Sequence, residues 1–263
     1  MTAIYTQISA NHKHPQGPWP LMLSAVTSIP SSSSPSFKLL DIASGMGEPA
    51  LTIALSLPSA TVVASDFSPD MVAAAARACD AVPNMTAMEL DATDMSSIPS
   101  GSFDAVTCCY GYMFPENKRA ALAETLRVLK PGGRLVATTW DSLNVIPLAA
   151  EVMADVLGTA PPLALDPMSL SGKGVFEEMV KAAGFSTIEI TKSTYPFNYG
   201  ADKSFQLKSC LMLVKGKIAS HGKEQEAAAA FRKRVGDYAT TEEDGNMVLP
   251  SNTFQMTVAR KAE

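Results

Sequence analysis

No apolar run in this chain approaches the ~18–20 residues that a helix needs to cross a bilayer. Basic residues are outnumbered, 21 Lys and Arg against 26 Asp and Glu, so the formal net charge is −5. That balance lacks the positive footprint expected of a partner for nucleic acid or for an anionic membrane. Cysteine is scarce: the four are Cys79, Cys108, Cys109 and Cys210. Their spacing fits neither a zinc pattern nor a secreted disulfide framework, and reduced, mostly buried thiols are expected. Histidine is scarcer, with only His12, His14 and His221, and no acid or cysteine stands near the first two to complete a metal site. No Ser-His-Asp wording is present either. The start of the sequence has no basic stretch followed by an apolar one, and no Arg-rich transit character. A cytoplasmic protein with no metal, no nucleic acid and no membrane partner is expected, as a monomer or homodimer. A hydrophobic fraction of 46% and a charged fraction of 18% are those of a globular chain. The 263 residues suffice for one large domain, or one with an appendage.

What is present centres on residues 37–54, FKLLDIASGMGEPALTIA. Lys38 to Ala43 reads as a short buried strand that Asp41 interrupts. Ser44-Gly45-Met46-Gly47 is a tight turn, and Pro49 stands where a first helical residue would, suited by its fixed φ. Ala50 to Leu55 continues as an apolar helix. A strand–glycine–helix unit of this kind exposes bare backbone at the carboxyl end of a parallel strand, where open α/β sheets bind ligands. Asp41 is expected to face that pocket and Glu48 to stand at the helix start. A pyrophosphate drawn to the free N–H groups there would be repelled by Glu48, whereas a cationic ligand would not.

The second predicted strand, Ala60 to Ser65, ends at Asp66, 19 residues after Gly47. An acid at that distance can accept hydrogen bonds from both hydroxyls of a ribose, and Phe67 follows it directly. Ser68-Pro69 then opens a helix with a favourable cap. A third strand, Met85 to Leu90, runs out into Asp91-Ala92-Thr93. A fourth, Ser102 to Cys109, runs into the aromatic stretch Tyr110-Gly111-Tyr112-Met113-Phe114, whose ring faces tolerate a cation. An amphipathic helix over 116–129 is followed by Lys130-Pro131-Gly132-Gly133 as a stop signal and by a fifth strand, Arg134 to Trp140.

These phrases, LLDIASGMGEPALTIA, ASDFSPDMV, GSFDAV and LRVLKPGGRLVATTW, resemble the class I S-adenosylmethionine-dependent methyltransferases. Within them the wording is similar to the ubiquinone/menaquinone-biosynthesis-like group of small-molecule enzymes. The likeness is strong over residues 37–140, weak over 175–200 and in the last strand. Ser44 and Glu48-Pro49 depart from the commoner wording of the first motif. The resemblance implies an α/β, Rossmann-like fold: a seven-stranded, mostly parallel sheet with helices on both faces and an antiparallel last strand. It implies S-adenosyl-L-methionine as cofactor, with Asp41, Ala43, Ser44, Gly45, Gly47, Asp66, Phe67, Asp91, Ala92 and Tyr110 as binding positions. It also implies a small-molecule methyl acceptor, attacked by in-line displacement. Residues 1–36, with Tyr5, His12, His14 and Trp19, would form a lid and linker. Residues 37–263 would form the methyltransferase domain, with 201–240 a helical insertion between the last two strands. Tyr110 or Tyr112 could orient an acceptor, and His12 or His14 could serve as a base. Two other readings stay open: a non-catalytic S-adenosylmethionine-binding protein, and an NAD(P)-dependent oxidoreductase suggested by Gly45-x-Gly47-x-x-Ala50 with Asp66.

Overall fold

A computed structural model describes residues 2–160, 162–163 and 165–263, with backbone only for residues 2, 3 and 5. The side chain of Tyr5, expected in the lid, therefore lies outside the described residues, as does Pro161 of a predicted Pro-rich loop. The elements in chain order are α1 (Thr2–Ser9), α2 (Pro18–Thr27), β1 (Lys38–Ile42), α3 (Ala50–Ser56), β2 (Thr61–Asp66), α4 (Pro69–Cys79), β3 (Met85–Glu89) and β4 (Phe103–Cys109). They continue with α5 (Lys118–Val128), β5 (Leu129–Ser142), α6 (Val145–Leu157), α7 (Val175–Ala182), β6 (Thr187–Asn198), α8 (Lys203–Cys210), α9 (Lys215–Ser220), α10 (Glu224–Arg234), β7 (Thr240–Thr241) and β8 (Met247–Arg260).

The chain divides into two compact units: residues 1–14, 141–166 and 194–253, and residues 15–140, 167–193 and 254–263. The predicted boundary after residue 36 does not coincide with this division, because 15–36 belong with the main sheet. The start of the chain forms α1 and α2.

The strand order is β3-β2-β1-β4-β5-β8-β6. Five of these strands pair in parallel. At the far edge Lys261 N–H donates to Gly133 O, Gly132 N–H to Ala262 O, and Ser186 N–H to Arg260 O. Those descending-against-ascending pairs make β8 antiparallel to both β5 and β6. The sheet has eight strands rather than the seven expected, since two-residue β7 pairs antiparallel with β8 off the main path. Thr241 opens what reads by sequence as an acidic turn over 241–245, and so short a strand leaves no periodic signature.

Strand alternation decides what each face carries. Leu39, Val62, Ala64, Ala105 and Val136 point to one side. There they meet Met22 and Val26 of α2 and Ala50, Ile53 and Ala54 of α3 in a continuous apolar core. The other face receives Tyr112, which packs on Phe176 of α7 at 5.5 Å between ring centroids. Lys130 to Gly133 does not simply stop a helix. Pairing begins at Leu129 opposite Phe103 and resumes at Arg134 opposite Ala105, so those residues bulge out of a strand already under way.

In the other unit, α6 and α10 are clasped by Arg234, which makes paired bonds of 2.8 and 2.7 Å to Asp155 and an ion pair of 3.3 Å to Glu151. Tyr238 O–H donates to the same Glu151 at 2.6 Å. The helical insertion expected over 201–240 consists of three helices, α8 to α10, separated by turns. Among the described residues no helix is long and apolar enough to cross a membrane.

Candidate active site at the strand ends

β1 has β2 and β3 on one side and β4 and β5 on the other. The chain reverses its direction of growth at this point, and open α/β sheets bind their ligands outside the carboxyl ends of the strands there. Two non-glycine residues with positive φ are described, Ala43 at +53° and Tyr110 at +58°. They are the first residues beyond β1 and β4, the two strands that flank the reversal. Left-handed backbone costs roughly 1 kcal/mol for such residues, and it persists only where the surrounding structure holds it. Gly111 explains how the two strand ends come together: a Cβ on it would lie 2.6 Å from Ala43 Cβ and 2.6 Å from Cys108 Sγ.

The glycine turn is built from both sides. Gly45 has φ +58° and Gly47 φ +102°, conformations that glycine adopts without penalty. Ser44 N–H donates to Ser65 O at 2.8 Å, and Gly45 N–H donates to Asp66 Oδ2 at 2.9 Å. The other oxygen of Asp66 accepts from Ser68 N–H at 2.9 Å. Asp66 thus ties the turn after β1 to the turn after β2. Each of its oxygens retains a second lone pair. Beside it Phe67 is 72% exposed, unusual for a large apolar ring. Ala43 is exposed too, while Ser44 and Gly45 are buried.

Asp41 is fully buried in β1. Ser44 Oγ and Thr107 Oγ1 each donate to its carboxylate at 2.5 Å. Burial nevertheless outweighs these bonds and pushes its pKa up to about 7, with the nearby charge of Glu48 adding to the rise. Asp41 is a latch within the sheet and turn rather than a carboxylate open to a ligand. Glu48 also differs from expectation: its Oε2 accepts from Thr52 N–H at 3.1 Å and Thr52 Oγ1 at 2.7 Å. It caps α3, whose N-cap position is occupied by Pro49.

Asp91 is exposed after β3, with Oδ1 accepting from Thr93 N–H and Thr93 Oγ1, both at 2.8 Å. These bonds order the turn that carries Ala92, and Asp91 Oδ2 has no part in them. Tyr110 is 8% exposed and stacks on Trp140 at 4.0 Å with an interplanar angle of 7°, while Phe254 meets it edge-on at 6.1 Å. Its N–H donates to Thr138 O and Thr138 Oγ1, both at 3.2 Å.

The other three expected catalytic residues have partners of their own. Tyr112 is 1% exposed, and its hydroxyl lies 2.6 Å from Thr125 Oγ1. Thr125 spends its proton on Ala121 O, so Tyr112 donates, and the phenol is a core group with no proton to offer an acceptor. His12 and His14 belong to the other unit. His12 Nδ1 lies 2.8 Å from Tyr195 O–H, and burial pushes its pKa down to about 3, which makes it a poor proton acceptor. His14 stacks on the Tyr195 ring at 6.2 Å. Sequence reading missed Thr107 and Ser44 as partners of Asp41, and Trp19, whose indole bonds to the Cys109 sulfur. The Thr107 and Trp19 pairings join positions distant in the chain, while Ser44 reaches back only three residues to Asp41.

Residues 39–133 match the family described as methyltransferase domain. The chain is 42% identical over 100 residues to a demethylmenaquinone methyltransferase of Thermus thermophilus, 38% of this chain and 45% of that one. It is 26% identical over 171 residues to a ubiquinone/menaquinone biosynthesis C-methyltransferase, UbiE, of Cereibacter sphaeroides, 59% of this chain and 68% of that one. The chain thus spans less than half the length of the first of these relatives. The crystal structure of the YcgJ protein from Bacillus subtilis shares the fold, with a TM-score of 0.61, 18% identity, and coverage of 93% of this chain and 98% of that one. Residues 39–133 are thus similar to a methyltransferase domain, with wording like that of the ubiquinone/menaquinone-biosynthesis methyltransferases, and the fold is that of the YcgJ structure.

Proposed function

We propose that the protein is a methyltransferase that moves a methyl group from S-adenosyl-L-methionine to a small-molecule acceptor. The observation that carries this reading is the pair of strained residues, Ala43 and Tyr110, at the ends of the two strands flanking the sheet's reversal. The donor set beside them suits the cofactor. Asp66 has lone pairs left for two ribose hydroxyls, Phe67 offers a flat apolar face, and Asp91 with Ala92 fits the edge of an adenine. The main chain of Ala43, Ser44, Gly45 and Gly47 approaches without bulky side chains.

Bound there, S-adenosylmethionine would supply a methyl group on an already activated sulfonium. The residues of the chain are then left to position and to exclude water. Tyr110, held by Trp140 and Phe254, forms a rigid aromatic wall at the end of β4, and an electronegative ring face stabilises a sulfonium beside it. No side chain at these strand ends needs to become a nucleophile. A base is required only for an acceptor that arrives protonated, and His12 is too weak to be that base.

Calorimetry with S-adenosylhomocysteine and with NAD, on wild type and on Asp66→Asn and Asp66→Ala, tests the cofactor. Binding of S-adenosylhomocysteine, weakened at least tenfold in both variants, is expected. Binding of NAD in its place overturns the reading. Turnover against a panel of phenolic, thiol, amine and carbon acceptors then separates an enzyme from a protein that only binds the cofactor.

A further inference from the structure

A cavity of about 480 Å³ lies wholly within the unit formed by residues 1–14, 141–166 and 194–253. That is the size of a small-molecule site. Its apolar lining comes from Leu207 of α8, Phe231 of α10, Val235, Ala239 and Met247. Its polar lining is Lys203, Arg232, Gln206 and Thr241, with no acidic side chain among the lining residues.

Charge accounting decides what such a cavity accepts. α10 ends in three consecutive cations, Arg232, Lys233 and Arg234. Arg234 is spent on Asp155 and Glu151. Glu151 also takes the Tyr238 proton. Lys203 follows Asp202, but the Asp202 Oδ1 caps α8 through Ser204 N–H and Phe205 N–H. Neither Lys203 nor Arg232 makes an ion pair among the described residues. Gln206 is 2% exposed, and its Nε2 donates to Gly200 O at 2.5 Å, which fixes the amide against the cavity edge. Two exposed cations without an ion-pair partner, at the rim of an apolar floor, favour an anionic head beside them and an apolar body below.

We propose that this cavity is a second binding site, separate from the glycine turn, for a small amphiphilic anion: one anionic head between Lys203 and Arg232, and an unbranched apolar body against Leu207, Phe231, Val235 and Met247. The proposal does not depend on the methyltransferase reading.

Calorimetry with decanoate, below its micellar concentration, tests it against decanol, which has the same chain and no charge. Wild type should bind one decanoate per chain, and decanol at least tenfold more weakly. The double variant Lys203→Ser with Arg232→Ser changes two exposed side chains, so the fold should survive. It should lose at least tenfold in decanoate affinity and nothing in decanol affinity. S-adenosylhomocysteine affinity should be the same in both proteins. Failure of wild type to bind decanoate saturably, equal binding of decanol, or undiminished decanoate binding in the double variant would each overturn the site. Ala239→Trp, which fills the cavity, should abolish decanoate binding. Retained binding in a folded Ala239→Trp protein would place the ligand elsewhere.

Discussion

Asp41 shows how a single side chain couples the turn to the sheet. Two hydroxyls hold its carboxylate, yet complete burial raises its pKa to about 7. In the unfolded chain an aspartate titrates near 3.9. Below that pH both states are protonated. Between about 4 and 7 the unfolded chain has released its proton while the folded chain keeps it, so stability falls as pH rises through this window. Above 7 the whole penalty remains, on the order of 4 kcal/mol. Asp41→Asn keeps the shape and can still bond both hydroxyls. Its urea-unfolding stability relative to wild type should therefore rise from pH 4.5 to 7.5 by a few kcal/mol, and an unchanged difference would refute a buried carboxyl. Gly111 is the second residue on which the site depends. Gly111→Ala places a methyl group 2.6 Å from Ala43 Cβ and from Cys108 Sγ. It should cost ~1–3 kcal/mol as overpacking and weaken S-adenosylhomocysteine at least tenfold by parting the ends of β1 and β4. Denaturant titration and calorimetry on the same variant check both.

Among the elements, the α6–α10 pair is held by a clasp that only one of its partners advertises. Arg234 and Asp155 are 79 residues apart. The run of cations at the end of α10 looks by sequence like a favourable helix end. The structure instead spends Arg234 on bonds across to α6. Arg234→Ala should raise the amide exchange rates of residues 224–234 while leaving S-adenosylhomocysteine affinity unchanged. Unaltered exchange would mean that apolar packing through Ala227, Ala230 and Phe231 holds the pair alone. The same scale explains the bulge at Lys130–Gly133. A basic last turn with Pro and two Gly signals the end of a helix, and α5 does end at Val128. What those residues do next is set by β4, whose Phe103 already pairs with Leu129.

At the scale of the molecule, a ligand that binds only the folded state stabilises it by about 2.7 kcal/mol at 100-fold its dissociation constant. For a chain of this length that corresponds to a rise in Tm of about 5–10 °C. S-adenosylhomocysteine should produce it in thermal unfolding, NAD at the same excess should not, and the reverse result would transfer the site to a dinucleotide. The parallel strands, the glycine turn, the start of the helix after β2 at Ser68-Pro69 and the acid at the end of β2 were all readable from residues close together in the chain. Period-2 alternation, positive-φ glycines and Pro positions are local constraints, and local constraints survive without a fold. The same wording carried the resemblance to the methyltransferases. Which way each carboxylate turned was decided only by tertiary structure: Asp41 inward to Thr107 on a neighbouring strand, Glu48 onto Thr52, Asp66 across to Gly45. So were the burial of Tyr112 and the meeting of Lys203 and Arg232 at one cavity. The free energy of a polar group is set by what surrounds it in space, and a carboxylate beside several possible donors does not show in sequence which of them it takes.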